Sequence, residues 1–307
     1  MLLRTGRKKD LRLFGDLGLA RPRAGGDHRP HMSLREEIDD RLARLEVPFG
    51  RYGVDSFGVS KAHLANFYRI LGVLYKDYFR VRAYGVHNVP STGRAMLVGN
   101  HSGGVAIDGA MVIASMFFEM EPPRLAQGMV EKFIGKVPFA SAWSSRVGQF
   151  TGLPEHAQRL LDDDRLLMVF PEGSRGTAKL YWERTNLVNF GSGFVRLALA
   201  SRAPIVPFAF IGGGDAVPTI FNAYKLGKLL GAPYVPLTPY LVPLPLPVPL
   251  AVHYGEPMMF EGTGSEDDAT IEHKVEQVKS RVAELIAQGE RARRTGDGRL
   301  LPPPRRA

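Results

Sequence analysis

Three short runs of this chain carry no polar side chain at all: 95–99 (Ala-Met-Leu-Val-Gly), 166–170 (Leu-Leu-Met-Val-Phe) and 205–211 (Ile-Val-Pro-Phe-Ala-Phe-Ile). A strand with one wet face alternates apolar and polar residues. A strand that is apolar throughout must be covered on both faces, as in parallel sheets. Helical spacing fills the intervals, at 109–120, 155–164 and 190–201, and shorter strand signals lie at 81–86, 124–129 and 251–254. Strands alternating with helices predict an α/β fold, a mostly parallel central sheet flanked by helices. Two helices are expected before the sheet, at 33–46 and 60–79. The second has a broad aromatic and aliphatic face that fits either core packing or an in-plane membrane helix. A long helix is expected at 266–292, with Ile271, Val275, Val278, Val282 and Leu285 on one side.

Length and charge set the domain organisation. The 307 residues are 44% hydrophobic and 23% charged, which suits a folded core. There is no cysteine, which excludes disulfides, thiolate metal sites and a cysteine nucleophile. The net charge of +9 sits at the two ends: residues 1–32 hold eight Arg or Lys against three Asp, and 290–307 hold six Arg against two acids. The expected division is a basic disordered tail at 1–32, one domain at 33–292 with its N-terminal helices at 33–80, and a basic, proline-rich disordered tail at 293–307. Met32 is an alternative start. Basic ends on a neutral core suit an anionic membrane surface or non-specific nucleic-acid contact, and equally a pair of solvated tails. The neutral core speaks against specific nucleic-acid binding.

Residues 229–252 contain no charge, long enough to raise the question of a transmembrane span. They also contain seven prolines, and each interior proline costs a helix about 3 kcal/mol. The expectation is an extended apolar loop that packs on the sheet or lies against lipid or an acyl chain. With no signal peptide or spanning helix visible, a cytoplasmic protein held peripherally at the inner face of the membrane is expected.

Two blocks carry chemistry. The first is Gly99-Asn100-His101-Ser102-Gly103-Gly104-Val105-Ala106-Ile107-Asp108, which follows a buried strand and precedes an apolar helix. Seven residues of straight helix would separate His101 from Asp108 by about 10.5 Å. Paired glycines permit a tight turn with positive φ, which lets Asp108 reach the imidazole, fix its tautomer and leave the other nitrogen as a base. Alone, this spacing also fits a structural histidine. The second block is Phe170-Pro171-Glu172-Gly173-Ser174-Arg175, at the end of the next buried strand. Glu172 can accept from a substrate hydroxyl and Arg175 can bind an anionic group. Alone, it also fits a surface turn with an ion pair.

Together the two blocks resemble the glycerolipid and lysophospholipid acyltransferase family, which includes bacterial 1-acylglycerol-3-phosphate acyltransferases. That family pairs Asn-His-x4-Asp with a later Phe-Pro-Glu-Gly and a proline-bearing strand. Here His101 and Glu172 stand 71 residues apart, and the strand block is Ala203-Pro204-Ile205-Val206-Pro207. Asp55-Ser56-Phe57-Gly58 is similar to an Asp-Pro-Phe-Gly element of a bacterial subgroup. The resemblance implies an acyl-CoA or acyl-carrier-protein donor, a glycerol-type acceptor and direct transfer, with no bound cofactor and no metal.

It further implies His101 as general base with Asp108 as its orienter, and acceptor binding by Glu172, Gly173 and Arg175. The amides of Gly103 and Gly104, or the start of the helix, are the natural candidates for oxyanion donors. Two departures stand out. The spacing is x6, with the extra glycine pair, and Gly148-Gln149-Phe150-Thr151-Gly152 lacks the Arg that the family often uses for acceptor phosphate. Lys132 and Arg146 are the nearby candidates for phosphate or CoA contact. A non-catalytic acyl-CoA or lipid-binding protein of the same fold is the alternative reading.

Overall fold

The computed structural model describes residues 32–130, 140–151 and 153–295. The basic N-terminal segment, Lys132 and the last twelve residues lie outside them. Nine strands and ten α-helices are formed within the described residues. In chain order these begin with α1 (Leu34–Arg44), α2 (Lys61–Val73, continued by a π-helical turn Leu74–Tyr78), β1 (Arg82–Tyr84), β2 (Ala95–Gly99), α3 (Ile107–Phe118) and β3 (Ala126–Val130). Next come α4 (Ala140–Arg146), β4 (Gln149–Thr151), α5 (Pro154–Asp162), β5 (Leu166–Val169), α6 (Ser174–Thr177), α7 (Gly193–Ser201) and β6 (Ile205–Ile211). The rest is α8 (Gly213–Ala216), β7 (Phe221–Asn222), α9 (Tyr224–Leu229), β8 (Pro236–Leu237), β9 (Ala251–Tyr254) and α10 (Asp268–Thr295).

Seven strands form one sheet in the order β1-β9-β6-β2-β5-β3-β4. All pairings are parallel except β6 with β9. β2, β5 and β6 are the three all-apolar runs, and they hold the centre. Their residues alternate between two cores. Ala95 and Leu97 of β2, with Val206, Phe208 and Phe210 of β6, pack with α1, α2 and α3. Met96 and Val98, with Ile205, Ala209 and Ile211, pack with α5, α7 and α10. A side chain buried in this way contributes roughly 1.5–3 kcal/mol, and both faces of each central strand gain it. That double coverage is why no polar residue survives in these runs.

The N-terminal helices belong to this body. Ser33 caps α1 in a reciprocal box with Glu36. Arg41, one turn from the end of α1, donates to the carbonyls of Phe117 and Met120 at 3.0 and 3.1 Å, and so satisfies the C-terminal end of α3. Tyr68 of α2 stacks on Phe117 at 3.6 Å between ring centroids.

The structure departs from the sequence reading in a few places. Helix α10 runs three residues past 292, because Arg293 pairs with Asp215 and keeps the last turn folded. Directly after β6, Gly212 caps the short α8 in the left-handed conformation. Within the expected apolar loop at 229–252, Pro236–Leu237 form β8, paired with β7, and residues 251–252 already belong to β9; turns and bends lie at 230–233 and 239–242, and 243–250 has no regular element. No helix among the described residues is long and apolar enough to cross a membrane.

The Tyr68 hydroxyl is fully buried and has no hydrogen-bond partner among the described residues, and burial pushes its pKa far up. An unsatisfied buried hydroxyl costs about 1–3 kcal/mol. Tyr68→Phe keeps the stack and removes that cost, so denaturant unfolding should show a gain of about 1 kcal/mol. A loss would mean that the hydroxyl has a partner.

Candidate active site

β2 and β5 lie side by side at the centre of the sheet, with Val98 opposite Val169. The chain therefore leaves both strands at one level, at their carboxyl ends, where open α/β sheets bind ligands. β2 continues into Asn100 and His101, and β5 into Phe170, Pro171, Glu172 and Gly173. This register brings the two sequence blocks together. The His101 amide donates to Glu172 Oε1 at 2.8 Å.

Asn100 ties this end of the sheet to β6. Its side chain donates to the Phe210 carbonyl at 3.0 Å and accepts from the Phe210 amide at 2.7 Å. Beyond His101 the chain reverses at Gly103 and Gly104, with φ of 96° and 67°. A Cβ on Gly103 would stand 2.8 Å from the Gly213 carbonyl oxygen, and one on Gly104 2.8 Å from Thr219 Oγ1. Both positions thus require glycine twice over, for conformation and for space.

The reversal puts Asp108 in the first turn of α3, fully buried. Its Oδ2 accepts from His101 Nδ1 at 2.6 Å and from the Ser102 amide at 2.7 Å, and its Oδ1 accepts from the Gly109 amide at 2.8 Å. A carboxylate at a helix N-terminus also meets the positive end of the helix dipole. With Nδ1 donating to Asp108, Nε2 carries the free lone pair. The imidazole stacks on Phe170 at 4.2 Å and 17°, and Phe170 stands edge-on to Phe208. Gly103 and Gly104 are buried, yet neither amide donates to a protein acceptor among the described residues.

Glu172 is as buried as Asp108. Lys179 Nζ donates to both of its oxygens, at 3.1 and 2.9 Å, and the Val188 amide adds a bond of 2.9 Å. With the His101 amide, four donor contacts converge on one carboxylate. Gly173 comes next at φ 57°, and a Cβ there would meet nothing within 4 Å, so the turn is open above it. Gly176 is the opposite case: its Cβ would lie 2.7 Å from that of His101. Arg175 is exposed and donates to the Asn189 carbonyl at 3.1 Å.

Of the other named residues, Lys132 lies outside the described residues, and Arg146 is not brought to this place. Arg146 precedes β4, so it stands at the amino ends of the parallel strands, opposite His101, where its guanidinium reaches the Gly58 carbonyl at 3.4 Å. Asp55 lies at that same end. It accepts from the amides of Phe57 and Val59 and pairs with Arg165 ahead of β5. Sequence reasoning did not find Lys179, the buried cation on Glu172. Its only signal is a lysine seven residues after a glutamate, which has no meaning until α6 folds the two together. The Tyr234 hydroxyl, which donates to Thr177 Oγ1 at 2.5 Å, carried no signal either.

A family model described as Acyltransferase matches residues 80–211, a span that holds both blocks. An uncharacterised protein of Mycobacterium tuberculosis is 32% identical over 249 residues, 77% of this chain and 69% of the relative. One of Mycobacterium leprae is 32% identical over 250 residues, covering 77% of this chain and 68% of the relative. Among solved structures, the chain is similar to the 1-acyl-sn-glycerophosphate acyltransferase of Thermotoga maritima, with a TM-score of 0.48 and 16% identity over 73% of this chain and 82% of that one. With the matched span holding both blocks and the mycobacterial relatives covered over two thirds of their length, the chain belongs to the acyltransferase family.

Proposed function

We propose that the protein moves a fatty acyl group from an acyl-CoA or acyl-carrier-protein thioester to a hydroxyl of a glycerolipid or lysophospholipid. The observation that carries this reading is the His101–Asp108 bond of 2.6 Å, in a turn that leaves Nε2 without a protein partner among the described residues. His101 takes the proton of the acceptor hydroxyl as its oxygen attacks the thioester carbonyl, and Asp108 stabilises the imidazolium that forms. The tetrahedral intermediate places negative charge on the former carbonyl oxygen, and the unclaimed amides of Gly103 and Gly104 are suited to receive it. Collapse expels the thiolate, which takes the proton back from His101. The acceptor occupies the opening above Gly173, with Arg175 at its margin for an anionic group. Since both substrates carry acyl chains, the enzyme works peripherally at a membrane surface.

Glu172 has a positioning role in this reading. Its oxygens already hold the His101 amide, Lys179 and Val188, so it sets the backbone from which the base projects.

The direct test offers palmitoyl-CoA with a panel of acceptors: glycerol-3-phosphate, lysophosphatidate, other lysophospholipids, monoacylglycerol and diacylglycerol. Thiol release and labelled product are recorded together. Transfer to one acceptor, reduced about 10²–10⁴-fold in His101→Ala, is the expected result. Tight acyl-CoA binding without turnover, with carrier-protein donors also inactive, would favour the non-catalytic alternative.

A second prediction concerns the buried pair. Lys179→Met leaves Glu172 charged and unpaired, and should cost about 3–5 kcal/mol of stability. Glu172→Gln combined with Lys179→Met should regain part of that loss in the melting curve while kcat stays low. Equal stability of the single and double variants would show that the two groups are not coupled.

A further inference from the structure

More than half of the large apolar side chains that are exposed among the described residues fall within 220–246. They are not scattered over independent elements. β7, with Phe221, leads into α9, where Tyr224 and Leu229 stand in solvent with Leu230 at its C-cap, and the segment after β8 adds Leu241 and Leu244. Leu229 and Leu241 are 81% and 74% exposed. Isolated exposed leucines are ordinary, but a concentration of this kind is a surface waiting for an apolar partner.

The charge pattern identifies the partner. From Ala216 to Gly255 the chain contains no acidic residue, and its only Lys or Arg are Lys225 and Lys228, both exposed and both on α9. Three tyrosines, Tyr224, Tyr240 and Tyr78, lie in or beside the patch, and Tyr78 is bound to the Pro245 carbonyl at 2.7 Å. Apolar side chains flanked by lysine and tyrosine, without carboxylates, match the boundary between acyl chains and anionic headgroups. A protein partner would instead be expected to meet a polar rim of mixed sign.

The patch is also fastened to the catalytic turn. Thr219 and Pro236 close over Gly104, and Tyr234 reaches Thr177 of α6. The Thr219 carbonyl accepts from the Tyr181 amide at 2.8 Å, and Asn222 donates to the Ala178 carbonyl at 2.6 Å. The segment thus bridges the turn after β2 and the helix after β5. We infer that residues 220–246 form the docking face for an anionic bilayer, and that docking holds the dyad turn against the leaflet that contains the acceptor. The inference rests on the lipid acceptor proposed above, but the docking itself is measured without turnover.

The full chain is floated with vesicles of phosphatidylcholine alone or mixed equally with phosphatidylglycerol. Wild-type protein should rise with the mixed vesicles, and less so at high salt. Leu229→Glu/Leu241→Glu should lower the bound fraction by at least about tenfold, because two side chains would carry charge into the acyl boundary. Lys225→Gln/Lys228→Gln should lose binding to mixed vesicles, at about fivefold per lysine, and lose its salt dependence. Both variants should keep the wild-type melting temperature and wild-type thiol release from a short, water-soluble donor and acceptor. Flotation of Leu229→Glu/Leu241→Glu at the wild-type level would overturn the proposal and give the binding to another part of the chain. So would a wild type that stays at the bottom while sedimenting as a dimer that these substitutions split, since the patch would then cover a second copy. If flotation behaves as expected but no acceptor is acylated, the docking face stands and the enzymatic reading fails.

Discussion

A carboxylate shut away from water keeps its charge only if protein donors replace the water it has lost. Glu172 receives them from three separate stretches of chain: the amide of His101 after β2, the ammonium of Lys179 after α6, and the amide of Val188 in the loop beyond. None of these segments has a reason to adopt its position without the others. The turn that carries His101, the turn that opens above Gly173 and the loop leading to α7 are therefore placed by one ion. Asp108 repeats the arrangement on a smaller scale, holding the imidazole and the backbone of the residue after it. The site is built on two buried carboxylates, and Nε2 of His101 is left without a protein partner among the described residues.

Much of the architecture was legible because burial on both faces is a strong constraint. β2, β6 and β9 fall on the expected residues, and β5 ends one residue short of the expected run. The glycine pair was legible too, since the x6 spacing makes sense only if the chain reverses. What could not be read were elements whose order comes from tertiary partners. β4 has three residues and no periodicity of its own, and it exists because β3 offers it an edge. The β7–β8 pair is two residues on each side with α9 between its strands, too short for any periodicity to show.

Site residues were legible in proportion to how local their geometry is. His101 and Asp108 lie within one turn, so their meeting follows from backbone conformation alone. Glu172 and Arg175 leave one turn in opposite directions, which the sequence does not show: Glu172 is buried, and Arg175 is exposed and donates to the Asn189 carbonyl. Arg146 shows the limit. Its sequence distance from the second block is short, but a parallel strand reverses that nearness, because residues entering a strand lie a full strand length from those leaving it.

The grip of Arg41 on the last carbonyls of α3 has a mechanical meaning. The helix is a stiff rod of twelve residues, about 18 Å long, with Asp108 at one end and the Arg41 guanidinium at the other. Sliding α1 along the sheet would push or pull that rod along its axis, and the displacement would arrive at Asp108 with little loss. A contact of 2.6 Å tolerates only a small fraction of an ångström before it weakens. Through the α3 rod, α1 therefore works as a set screw for the distance between Asp108 and His101.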